Sequence, residues 1–131
     1  DLENALNKIT DEVIVIEHKV REYLGIDESV RQEIISIVEN GIDMIISFDF
    51  FPALSQICES YNIKYVSWVY DWPNYTLFHK EAYNKCNRIF LFERDGVKLL
   101  SQYNINNVYY SSLAVDIDRL AIRNRYQQYR I

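Results

Sequence analysis

Histidine, cysteine, glycine, proline and methionine are all scarce in this sequence: two, two, three, two and one among 131 residues. Two histidines, His18 and His79, are too few for a multi-histidine metal centre, and they leave a histidine-based triad few candidates. Cys58 and Cys86 stand far apart with no CxxC spacing, so they read as reduced thiols of a cytoplasmic protein rather than a zinc site or a disulfide framework. Scarce glycine and proline leave no flexible linker to divide the chain. No apolar run approaches the ~18 residues that cross a bilayer, and nothing at the amino terminus resembles a signal sequence. The chain starts at Asp1 rather than at methionine, which reads as an excerpt from a longer protein.

Positive charge is also in short supply. The 14 basic residues against 19 acidic ones leave −5, which opposes any general attraction to nucleic-acid phosphates or anionic lipid. One stretch departs from this balance: RLAIRNRYQQYRI, residues 119–131, has four arginines and no acid, and reads as a solvated terminal helix or as a basic arm.

What the sequence does have is a series of short apolar runs rich in β-branched and aromatic residues. They are EVIVIEH (12–18), IDMIISF (42–48), IKYVSWVY (63–70), RIFLFE (88–93) and NVYYSSLAV (107–115). Continuous rather than alternating hydrophobicity predicts parallel strands covered on both faces. Between them apolar residues fall at helical spacing: Leu2, Ala5, Leu6 and Ile9; Val30, Ile34 and Val38; Leu54, Ile57, Cys58 and Tyr61; Phe78, Ala82, Tyr83 and Cys86. Asn40-Gly41 and Tyr61-Asn62 close two of these helices, and Asp95-Gly96 opens another that carries Leu99, Leu100 and Tyr103. The alternation predicts one Rossmann-like α/β domain over 1–131, a three-layer α/β/α stack around a mostly parallel sheet of about five strands. Because the chain opens on a helix, a first strand is missing, and exposed strand edges would favour self-association.

In an open parallel sheet, ligands bind beyond the carboxyl ends of the strands, so the polar residues ending each run are the candidates. Pro73 stops ladder bonding and turns the chain outward, which places Asp71 and Trp72 at the rim. An ionised Asp71 there either accepts a proton or a hydroxyl, or caps the following helix. Trp72 either supports a ring or plugs the core. Asp49, ahead of Phe50, Phe51 and Pro52, reads as a helix cap or a site residue. Glu93, Arg94 and Asp95 form either a self-neutralising turn or an anion-facing rim, and His79 is near the rim or faces solvent. Asp116 and Asp118 make a DxD that serves better as a cap than as a metal site, and no metal site is expected.

Three stretches taken together, IISFDFFPALSQICESYNIKYVSWVYDWP, NRIFLFERDGVKLL and NVYYSSLAVDIDR, resemble the amino-terminal domain of the bacterial spore-maturation-type glycosyltransferases over about residues 40–120. These enzymes have two Rossmann-like halves, the GT-B arrangement. The resemblance implies that a second, carboxyl-terminal half binds a nucleotide sugar as donor, and that this half holds a saccharide or other hydroxyl-bearing acceptor. It implies Asp71 as the catalytic base and Asp49, Trp72, Asn74, Glu93 and Arg94 as acceptor-binding residues, with no cofactor held by this half and no activity of this half alone. The competing reading is a noncatalytic α/β binding or assembly module of flavodoxin-like or receiver-like shape.

Overall fold

A computed structural model describes residues 2–17 and 25–113. The chain divides into two compact units, one made of Asp1–His18 with Leu113–Ile131 and the other of Lys19–Ser112. In the first, helix α1 spans Leu2–Leu6, and residues 12–17 form no strand. The apolar run there is strand-like in composition, but a strand exists only through a ladder, and no described residue pairs with it. His18, Asp116, Asp118 and the basic stretch 119–131 lie outside the described residues.

The second unit contains α2 (Glu28–Glu39), β1 (Met44–Phe48), α3 (Pro52–Tyr61), β2 (Lys64–Val69), β3 (Asn87–Leu91), α4 (Arg94–Gln102) and β4 (Val108–Tyr110). The four strands are all parallel, in the order β1-β2-β3-β4. Residues 44–110 therefore carry the parallel α/β character that the sequence predicts, with four described strands rather than five.

Strictly sequential parallel order has a geometric consequence. Each connection is a crossover, and crossovers of one hand between successive neighbours all fall on the same side of the sheet. Burial agrees, because Tyr65, Val69, Ile89 and Leu91 form one core with Cys58 of α3, Leu77 and Ala82 of the β2–β3 connection and Leu100 of α4. Helix α2 lies beside α3 on that side, where Arg31 Nη2 donates to Gln56 Oε1 at 3.1 Å and Tyr61 OH to Glu39 Oε1 at 3.1 Å. The opposite sheet face receives none of these crossovers.

With so little glycine, the chain turns its corners on asparagine and aspartate. Asn62 (φ 55°) and Asn104 (φ 62°) take the left-handed conformation just past α3 and α4. Each is followed by a backbone N–H that reaches back into the helix, Ile63 to Cys58 O at 3.0 Å and Ile105 to Leu100 O at 3.1 Å. Among the described helices, α2 alone ends on glycine, at Gly41 (φ 90°).

The connection from β2 to β3 departs from the expected helix. Residues 75–78 and 80–83 form two short 3-10 turns with His79 extended between them (ψ 152°). Polar side chains outcompete the helical ladder here. Asn87, fully buried, donates from Nδ2 to Glu81 O at 2.8 Å and accepts from Ser55 Oγ at 2.7 Å. Asn107 donates to Ala82 O and Asn84 O at 3.1 and 3.0 Å. These bonds satisfy carbonyls that an α-helix would otherwise have to pair.

Candidate functional site

The carboxyl ends of β1, β2 and β3 bring Asp49, Asp71 and Glu93 to one rim, and their surroundings differ. Asp49 adopts φ 59°, its N–H donates to Trp68 O at 2.9 Å, and its Oδ1 accepts from Tyr70 N–H at 3.2 Å. The carboxylate thus ties the end of β1 to the end of β2. It does not cap α3, whose N-cap is Phe51 with no side-chain bond. The left-handed turn at Asp49 instead drops Phe50 into the core.

Below that turn lies a polar chain that the sequence pattern hides. Tyr65, fully buried on β2, accepts Phe51 N–H at its phenolic oxygen (3.0 Å) and donates to Ser47 Oγ (2.7 Å), which in turn donates to Asp49 O (2.7 Å). Burial pushes the Tyr65 phenol well above its usual range, so it stays a neutral donor. A tyrosine within a continuous apolar run reads as core. Its hydroxyl function is apparent only once Ser47 is known to stand in the neighbouring row.

Asp71 is exposed just past β2, and its carboxylate has no hydrogen bond or ion pair among the described residues. The cap of the following turn is Asn74, whose Oδ1 accepts Thr76 N–H at 3.1 Å. Thr76 Oγ1 sits 2.6 Å from the same Oδ1 and 2.8 Å from Phe50 O. Asn74 is therefore buried, with its amide oxygen engaged in the turn. Its amide locks the rim loop to the core because the Asp71-Trp72-Pro73 turn leaves Asn74 pointing inward.

Trp72, joined to Pro73 by a cis peptide bond, is half-buried and packs against the core. Its indole presses on the first turn of α4, where a Cβ at Gly96 would come within 2.9 Å of Cε2 and 3.0 Å of Cδ2. Glu93 is the N-cap of α4, Oε2 accepting Gly96 N–H at 2.8 Å, so one of its carboxylate oxygens is committed to the backbone. Arg94 is exposed, with its guanidinium carbon 4.2 Å from the centroid of the Tyr110 ring. Asp95 pairs with Lys98 at 2.8 Å on the surface, and that ammonium holds its carboxyl below the usual range. His79 does not join this rim, because its Nδ1 is held by Glu81 Oε2.

At the rim Asp71 and Arg94 are exposed, and Asp49, Trp72 and Glu93 are half-buried. Two depressions of about 310 and 350 Å³ lie away from it, the first lined by Gln56, Glu59, Ser60, Lys80, Glu81 and Asn84. Among the described residues no group of three or more His, Cys, Asp or Glu is placed to hold a metal ion, and no helix is long and apolar enough to cross a membrane. Both cysteines are free, and burial pushes each thiol up to about 12, which removes either as a nucleophile at neutral pH.

Of the residues singled out in the sequence, the structure thus brings Asp49, Asp71, Trp72, Glu93 and Arg94 to the strand ends. It leaves Asp71 exposed and Arg94 exposed over the Tyr110 ring. The chain matches no protein-family model, no curated protein and no solved structure.

Proposed function

We propose that this chain is the acceptor-side half of a glycosyltransferase of the two-halved Rossmann-like type, moving a sugar from a nucleotide-sugar donor to a hydroxyl-bearing acceptor. The observation that supports it best is the Asp71 carboxylate, exposed beyond the end of a central parallel strand and unengaged among the described residues. Structural carboxylates at this rim are tied to backbone N–H groups, as Asp49 and Glu93 are. In this reading Asp71 takes the proton of the acceptor hydroxyl as it attacks the sugar. Trp72 gives an apolar wall, Arg94 attracts an anionic or polar acceptor, and Asp49 and Glu93 fix the strand ends from which Asp71 and Arg94 project. The donor is held by a second half, which completes the cleft around the rim.

The test joins this domain to its donor-binding half and assays transfer from a panel of sugar nucleotides. Asp71→Asn should lower kcat by about 100-fold or more, the usual scale for removing a general base. The donor KM and the melting temperature should be unchanged, since the carboxylate holds nothing in place. Transfer that persists at the wild-type rate removes Asp71 from the chemistry and this reading with it.

A further inference from the structure

Among the described residues of this unit, the face of the sheet opposite the crossovers is apolar and only partly covered. Parallel register aligns Phe48, Trp68, Phe90 and Tyr109 in one row across all four strands, with Ile46 and Val66 in the row beneath. Phe48 on β1, Tyr70 just past β2 and Tyr109 on β4 remain 44%, 43% and 43% exposed, with Trp68 and Phe90 half-buried between them. No strand position on this face carries a carboxylate, and its lower border carries the exposed cations Lys64 and Arg88. Next to Arg88 and Tyr109 opens the depression of about 350 Å³, which adds Lys85, Asn104 and Asn106 and again contains no acid. Arg88 Nη1 donates to Lys85 O and Asn87 O at 3.0 and 2.6 Å, so the guanidinium is anchored on one nitrogen and its other donors remain oriented. In a chain of net charge −5, this is a local reversal of sign beside an apolar surface.

We propose that this face receives an amphipathic acidic helix from a partner protein. Its apolar stripe would lie on the aromatic row and on Ile46 and Val66, and its carboxylates would meet Lys64 and Arg88. The charge pattern selects the partner's sign. Size selects a helix over a second copy of this chain. Four strands about 4.8 Å apart and about five residues long present roughly 300 Å², far below the ~800 Å² per partner of a stable association between folded surfaces. A helix about 10 Å across fits it. Ring geometry argues against single-stranded nucleic acid. Tyr70 stacks between Phe48 (5.1 Å, 29°) and Trp68 (6.1 Å, 21°), so ring faces that bases would need are already covered. This inference does not depend on glycosyl transfer, and its test does not measure it.

The probe is a synthetic helix of about 14 residues, with leucines at helical spacing and glutamates clustered at one end. A control peptide carries lysines in place of the glutamates. Titrated against the whole chain and followed by amide chemical shifts, the glutamate peptide should bind and shift Val66, Trp68 and Phe90. Its binding should weaken with salt and fall about tenfold or more in Arg88→Glu and in Lys64→Glu, both exposed positions whose exchange leaves the fold intact. Tyr109→Ala, at an edge strand, provides an independent apolar variant with the same expected loss. The proposal is overturned if the lysine peptide binds equally well or the glutamate peptide does not bind. It is also overturned if oligouridylate occupies the same residues more tightly, or if sedimentation shows the face joining two copies of the chain.

Discussion

Asn87→Asp changes one atom of the buried network behind the rim, and its effect follows from bond directions. Asn87 has no exposed surface. Its Oδ1 accepts from Ser55 Oγ at 2.7 Å, and its Nδ2 donates to Glu81 O at 2.8 Å and to Ala82 O at 3.3 Å. An aspartic acid in the same place keeps the acceptor, and as the neutral acid it keeps one donor, losing a bond worth about 1 kcal/mol. As the anion it would point an oxygen at two carbonyls in a site closed to solvent, so the folded protein holds the proton. The pKa of the new group is therefore raised in the folded state, and for a fully buried carboxyl the rise reaches about 3–5 units.

Stability is then full, apart from the lost bond, below the unfolded pKa of about 3.9. It falls by about 1.4 kcal/mol for each pH unit above that until the folded pKa is reached. The variant should be about 1 kcal/mol less stable than wild type at pH 4 and about 5 kcal/mol less stable at pH 7. Urea melts of both proteins across that range measure the difference. A loss that is the same at pH 4 and pH 7 would falsify the network as drawn, since it would mean that the side chain at this position meets water or a donor.

Three further expectations can be checked on the same purified protein. Gly96→Ala gains about 1 kcal/mol of helix propensity. It also drives a methyl to within 2.8 Å of Leu91 Cδ2, which is fully buried and cannot yield, so a net loss of about 1–2 kcal/mol is expected with a shift in tryptophan emission as the Trp72 indole moves outward. Glu93→Ala should cost about 1 kcal/mol through the lost cap of α4, measured by thermal melting, while Glu93→Asp retains part of it. Ser67 is fully buried with an Oγ that has no partner among the described residues, so Ser67→Ala should leave stability unchanged or raise it by about 1 kcal/mol, and any loss of stability would reveal a hidden partner.

Four of the five apolar runs became strands because their residues carry the fold through bulk and branching, which a sequence displays directly. Helices α2 and α3 were equally legible, since Ile34 and Val38, and Ile57 and Cys58, are buried at the spacing that predicts them. The failures share a cause. The stripe Phe78, Ala82, Tyr83, Cys86 has helical period, but Asn87 at the start of β3 and Asn107 just before β4 take the carbonyls of Glu81, Ala82 and Asn84, and period carries no record of such bonds. At the rim, position was legible and employment was not. Pro73 showed that the chain leaves the sheet at Asp71, yet whether a carboxylate there binds backbone or faces water depends on turn geometry. Asp49 and Glu93 found backbone partners, and Asp71 found none among the described residues.

The uninterrupted ordering of the four strands also says where a ligand crevice would form. Crevices in open α/β sheets open where the winding direction reverses, and no two neighbours among these strands reverse it. A further ribbon laid against the outer margin of β1 and wound the opposite way would create that parting at β1. The mouth would then adjoin Ser47 and Asp49, one strand over from Asp71, and the fixed left-handed corner at Asp49 would become its floor.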